Sequence, residues 1–146
     1  MKMTWLIFLF PMASFGLDRL SALSMLETGD SDLAVGRAGE ISRYQIMKTE
    51  WRSVTTSTNY RDPSTAKQVV ARLMEDRVEK FRLARHRAPT DFEFYALWNA
   101  PAQALTGRIS RTVAERSRRF VNLCGSHPSP LAKAEKRLSS SAQVFN

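Results

Sequence analysis

Cysteine is almost absent: Cys124 is the only one in 146 residues. One thiol closes no intrachain disulfide, which excludes a disulfide-stapled scaffold. It also excludes a structural zinc site built on two or more cysteines. Histidine is nearly as scarce. His86 and His127 stand far apart, with no Cys or carboxylate cluster at ligand spacing, so the sequence predicts no metal and no cofactor. Six Gly and six Pro are too few for collagen-like or low-complexity architecture. Beyond the N-terminus no stretch approaches 18 apolar residues, which confines any membrane span to that end. What is present is a globular composition, 43% hydrophobic and 25% charged, in a length that suits one domain.

Acidic residues are outnumbered, 14 against 22 Lys plus Arg, for a formal net charge of +8. Such a chain attracts acidic partners, of which nucleic acid, anionic lipid and anionic bacterial wall polymer are examples. Arg108, Arg111, Arg116, Arg118 and Arg119 form a basic run. At 3.6 residues per turn, Arg108, Arg111, Arg118 and Arg119 share a helical side. Without interleaved exposed aromatics this run lacks a stacking platform, and nucleic acid is not expected.

Residues 1–16 read as a secretory signal. Lys2 is the short positive region, Thr4 to Phe10 begin the apolar region, and Pro11 breaks it. Ser14 and Gly16 are small residues at the −3 and −1 positions of a cut after Gly16. The apolar stretch is too short for a comfortable span. The expectation is an exported protein of the periplasm or cell envelope, monomeric, with no stable membrane span once the signal is removed. Residues 17–125 then form the domain. Residues 126–146, rich in Ser, Pro and Lys, read as a mobile tail.

Within the domain the pattern is mainly α. Leu17, Leu20, Leu23 and Leu26 line one helical face, and Gly29 suits a left-handed stop. Residues 29–43 hold three glycines and many polar groups and read as a loop. Tyr44 to Trp51 suggest a turn or two of helix. Asp62-Pro63 opens a long helix carrying Val70, Leu73, Met74, Val78, Phe81 and Ala84, ended by Pro89. Thr90-Asp91-Phe92-Glu93 spells a capping box before a helix with Phe94, Leu97 and Trp98, which Pro101 ends. Thr112 to Glu115 spell a second box, opening a last helix through Phe120 and Leu123.

Three segments stand out chemically. Glu27 closes an apolar helix just before Gly29. A carboxyl at the negative end of a helix dipole, among apolar neighbours, holds a proton more readily, as a general acid requires. The loop Val35-Gly36-Arg37-Ala38-Gly39-Glu40-Ile41-Ser42-Arg43-Tyr44-Gln45-Ile46-Met47 has glycines that allow close backbone approach. It lacks the Gly-Lys-Ser/Thr ending of a nucleotide P-loop. The third segment is the aromatic helix end Phe94 to Pro101, with Trp98 and Asn99.

In this order the three resemble the lytic transglycosylase (SLT-like) branch of the lysozyme-like superfamily. That family has a helix ending in Glu-Ser-Gly, a loop Ala-x-Gly-Leu-Met-Gln-Ile-Met and a later Ala-Tyr-Asn-Ala-Gly. The counterparts here are Glu27-Thr28-Gly29, Glu40 to Met47 and Leu97-Trp98-Asn99-Ala100-Pro101. The departures are Thr28 for Ser, Gly36 where many members have Ser, Ser42 and Pro101 for Gly, Arg43-Tyr44 for Leu-Met, and Trp98 for Tyr.

The resemblance implies a lysozyme-like fold of the α+β superfamily, here a small helical domain with a Gly-rich loop near the active site. It implies peptidoglycan glycan strands as substrate and cleavage of the β-1,4 bond between N-acetylmuramic acid and N-acetylglucosamine. Glu27 matches the catalytic acid. Gln45, Trp98 and Asn99 match cleft residues, and Tyr44 stands in place of the motif Met beside the substrate. A Tyr at the Trp98 position could hydrogen-bond the catalytic Glu, whereas Trp offers only an N–H. Glu40, thirteen residues after Glu27, is a second carboxylate in the loop expected to face the cleft, with Asp30 and Asp32 behind it. It leaves open a hydrolytic muramidase using two carboxylates, or else forms an ion pair with Arg37 or Arg43. A non-catalytic wall-binding module is the remaining alternative.

Overall fold

The computed structural model describes residues 15–125, with side chains from Arg19 onward. The signal-like segment, apart from Phe15 and Gly16, and the tail 126–146 lie outside the described residues. Six helices form among these: α1 Phe15–Thr28, α2 Lys48–Val54, α3 Pro63–Arg85, α4 Asp91–Asn99, α5 Pro101–Thr106 and α6 Arg111–Gly125. No strand forms among the described residues; Ile41 and Ile46 make one isolated antiparallel bridge. The chain is thus mainly helical. No described helix is long and apolar enough to cross a membrane.

The ends of the helices follow local chemistry. Asp62 caps α3 by accepting from the Thr65 N–H at 2.6 Å, with Pro63 at the first helical position. α3 leaves the helical path at His86 (φ 55), before Pro89 is reached. At α4 the capping box is complete: the Thr90 hydroxyl accepts from Glu93 N–H, and the Glu93 carboxylate accepts from Thr90 N–H at 2.9 Å. Arg87 adds a bidentate pair to Glu93, and this pair holds the Glu93 carboxyl down at about 2.

Three expectations shift. Tyr44 and Gln45 belong to a tight turn, Ile46 to the bridge, and helix begins only at Lys48. Pro101 does end α4, but it also opens α5, since a proline needs no amide hydrogen bond in a first turn. The last helix starts one residue before Thr112. The Ser110 hydroxyl accepts from Val113 N–H at 3.4 Å, while Glu115 turns back to Arg111 at 3.1 Å.

α4 forms the centre. Phe94 through Trp98 are all buried, so this short helix is covered on every side, as an all-round apolar pattern demands. It packs against α3, α5 and above all α6. Phe120 of α6 stacks on Phe94 at 5.9 Å and lies 5.5 Å from Tyr95. Burial of each such ring contributes about 2–3 kcal/mol. Leu20 and Leu23 bring α1 onto this core, and Arg19 ties α1 to α4 through Asp91 at 2.7 Å and the Phe94 ring at 4.9 Å.

Candidate active site

Glu27 lies in the last turn of α1, and the residues after it fix its surroundings. Gly29 takes φ +63, and its N–H bonds the Met25 carbonyl at 2.9 Å, closing the helix with a left-handed residue. The Thr28 hydroxyl donates to the Arg43 carbonyl at 2.9 Å. That bond ties the end of α1 to the loop carrying Gln45. Arg43 in turn grips Asp32 bidentately at 2.6 and 2.7 Å and holds the Asp32 carboxyl below its ordinary value. Asp30 accepts from the Ser24 hydroxyl. Both aspartates therefore brace the loop.

The Glu27 side chain is only 7% exposed. Its Oε1 accepts from the Tyr95 hydroxyl at 2.7 Å, and its Oε2 from Arg116 at 2.9 Å. Burial pushes the Tyr95 phenol far above its ordinary range, and the neighbouring Glu27 charge adds to this. Tyr95 thus stays a hydrogen-bond donor. The family motif puts Trp98 where a Tyr could reach the acid. The bond is made by Tyr95, one turn earlier on the same face of α4.

The loop closes in a turn over residues 42–45, braced by the Ile41–Ile46 bridge, whose two N–H···O bonds are 2.9 and 2.8 Å. Ser42 (φ 65) and Gln45 (φ 54) are both left-handed, an uncommon state for residues bearing a Cβ. Backbone held this way tends to gather at functional sites. The turn sends adjacent side chains apart. Gln45 reaches the cleft, whereas Tyr44 is 3% exposed in the core with Ile41 and Ile46. Tyr44 is therefore not a substrate-facing residue. The core takes its ring because the reversal at Gln45 points it inward, and burial raises the Tyr44 phenol's pKa.

A cleft of about 420 Å³ opens over Glu27, within the usual span of small-molecule sites. Glu40, Gln45, Trp98 and Asn99 line it together with Glu27. Five of the six candidates read from the sequence are thereby brought to one place, from α1, the loop and α4. Glu40 makes no ion pair among the described residues; its Oε2 accepts from the Ala38 N–H at 2.9 Å. It lies across Gly36, where a Cβ would collide with the Glu40 and Gln45 side-chain oxygens.

Sequence reasoning missed Met47, Glu50 and Arg116, which complete the lining. Arg116 belongs to the basic run, but the run is not one helical side: Arg108 lies before α6, and the helical phase of Arg116 sets it off the side of Arg111, Arg118 and Arg119. Glu50 pairs with Arg77. The Arg77 guanidinium lies 5.2 Å from the Trp98 ring centroid and donates to the Trp98 carbonyl at 2.8 Å. It fixes both the end of α4 and the wall of the cleft. No sequence signal marks that role, because Arg77 meets its partners only through tertiary packing. Among the described residues no three His, Cys, Asp or Glu side chains converge closely enough to hold a metal ion.

Comparison with protein-family models, curated proteins and solved structures finds no match to this chain. The chemistry open to the cleft is therefore that of its own groups. It offers a buried carboxyl with a donor on each oxygen, a second carboxylate on Glu40, the amide groups of Gln45 and Asn99, and the indole of Trp98.

Proposed function

We propose that this protein is a peptidoglycan lytic transglycosylase with a lysozyme-like fold, exported to the periplasm or cell envelope and acting as a monomer. The observation that carries the proposal is Glu27, nine-tenths buried at the head of a cleft that also gathers Glu40, Gln45, Trp98 and Asn99. Details of the loop agree. Ser42 stands where the family motif has Gly, and its backbone is in the left-handed region that favours Gly. Gly36 stands where many members have Ser, and here the Glu40 carboxylate fills the space a side chain would take. Thr28 keeps the hydroxyl of the motif Ser.

Glu27 protonates the glycosidic oxygen as the bond from C1 of the muramoyl sugar breaks with oxocarbenium character. The C6 hydroxyl of the same sugar attacks C1, and its proton passes to the Glu27 carboxylate. A 1,6-anhydro ring forms, no water is consumed, and Glu27 ends as it began. Tyr95 holds Oε1 throughout, and Oε2, which Arg116 meets before substrate arrives, is the oxygen that works.

One observation favours a second reading, hydrolysis by Glu27 and Glu40. Glu40 faces the same cleft with no cation upon it, as an activator of water would. Mass spectrometry of products from bacterial sacculi separates the two. Muropeptides ending in 1,6-anhydromuramic acid are expected, and Glu27→Gln should lower their rate by about 10²–10⁴. Reducing muramic ends would assign hydrolysis. Undiminished cleavage by Glu27→Gln would overturn both readings, and binding without cleavage by the parent chain would leave a wall-binding module.

A further inference from the structure

Both oxygens of Glu27 are engaged as acceptors, Oε1 from Tyr95 and Oε2 from Arg116. A carboxylate held in this way points no proton at a substrate, and general-acid work needs one there. The two holders differ in freedom. Tyr95 is fully buried against Phe120 and cannot withdraw. Arg116 has a 39% exposed side chain on the cleft wall, where it also lies 5.8 Å from the centre of the Tyr95 ring. Arg77, the neighbouring guanidinium, is fully committed to Glu50, the Trp98 ring and the carbonyls of Leu97 and Trp98. Among the described cleft-lining residues the other charged groups are all carboxylates, Glu27, Glu40 and Glu50. Arg116 is the cation there that can turn towards a ligand.

Resting on the glycan-cleaving reading of this cleft, we propose that Arg116 recognises a carboxylate carried by the glycan. That carboxylate draws the guanidinium away from Glu27 Oε2 and turns this oxygen over to the glycosidic bond. A guanidinium fork meets a carboxylate bidentately, so the substrate offers Arg116 a partner at least as good as the one it leaves. Glu27, released, takes a proton from solvent at Oε2, delivers it to the departing glycosidic oxygen, recovers one from the C6 hydroxyl and returns it to solvent as Arg116 closes again on the carboxylate. A neutral glycan gives nothing in exchange for parting Arg116 from a carboxylate that is nine-tenths buried. Discrimination therefore falls on kcat more than on KM, because the barrier lies in arming the acid. The carboxylate has two sources in a wall strand, the lactyl ether of the muramoyl sugar and the peptide stem.

Three polymers test this: peptide-bearing wall glycan, the same strands stripped of peptide so that lactyl carboxylates stand free, and chitin oligosaccharides with no carboxylate. The full chain should cut at least one carboxylate-bearing polymer with kcat about tenfold or more above chitin; which one it favours identifies the source. Arg116→Gln frees Glu27 Oε2 for every polymer, so the rate on chitin should rise towards that on the carboxylate-bearing polymer and the ratio fall towards one. Arg116→Lys, which keeps the charge without the fork, should fall between. A merely structural Arg116 would slow all three polymers alike, and that result would overturn the proposal.

A readout independent of cleavage is the NMR signal of the Arg116 Nε–H during titration with N-acetylmuramic acid, a muramoyl peptide with a free stem carboxylate, or N-acetylglucosamine. A shift with at least one of the first two and none with the third is expected, and no shift with any of the three overturns the proposal. If no polymer is cut by any variant, the glycan-cleaving reading fails, and this titration alone decides whether Arg116 recognises a carboxylate.

Discussion

At the scale of single residues, Gly36 and Glu40 behave as one unit. Gly36 needs no unusual backbone; it supplies empty space, filled by the Glu40 and Gln45 side chains. Both are flexible, so Gly36→Ala would push them aside rather than break the fold. The expected cost is about 1 kcal/mol, the loss of one hydrogen bond such as that from Ala38 N–H. Glu40→Ala should leave room for the added methyl, so the double variant should be more stable than the sum of the singles by about 1 kcal/mol. Denaturant unfolding of the four proteins measures this, and additive losses would show that Glu40 does not occupy that space. Residue identity alone said much here: Glu27, Glu40, Gln45, Trp98 and Asn99 all reach the cleft. It misplaced Tyr44, because which of two neighbours turns inward depends on the left-handed backbone at Gln45, and no composition reveals that. It passed over Tyr95 because an aromatic at helical spacing reads as core, which Tyr95 also is.

At the scale of elements, capping explains where α3, α4 and α6 begin and makes α4 sensitive to pH. Glu93 serves as both the reciprocal cap of α4 and the partner of Arg87. Its carboxyl sits near 2 in the folded chain against an ordinary value of 4.5. A folded value below the unfolded one means stability that is fully present above about pH 4.5 and lost as pH falls towards 2. Partial exposure of Arg87 screens the pair, so the cap itself sets the scale, about 1 kcal/mol. Glu93→Gln should melt below the parent chain at pH 7, and the gap should shrink steadily as the pH falls from about 4.5 to 2. A gap unchanged across that window would remove the carboxylate from the account. The box Thr90 to Glu93 was plain in the sequence because its signal is local. The similar Thr112 to Glu115 was misleading because Ser110, with equal capping chemistry, lies just upstream and takes the role. α5 was hidden for a related reason: Pro101 reads as a stop and a start alike.

At the scale of the whole molecule, charge and site pull in different directions. The chain carries +8 overall, while the cleft is lined by three carboxylates and one arginine. On the proposed reading, the surface would gather the protein onto an anionic polymer without occupying the cleft. Sedimentation with sacculi should show binding that weakens several-fold between about 50 and 300 mM salt, with Glu27→Gln bound as well as the parent. Salt-independent binding would place the attachment in the cleft instead. Charge and helix content were legible from composition and periodicity. The meeting of α1, α4 and α6 was not, since nothing local announces contacts so distant along the chain.

Glu27 is joined to residues 68 and 89 positions further on. A ribosome places Glu27 early and Arg116 late, and α6 can dock only after its own last turn has emerged. A chain broken off before α6 has Glu27 but neither its cation nor Phe120, the ring that seats Tyr95. The site therefore comes into being last, and its presence certifies that the whole domain has been made.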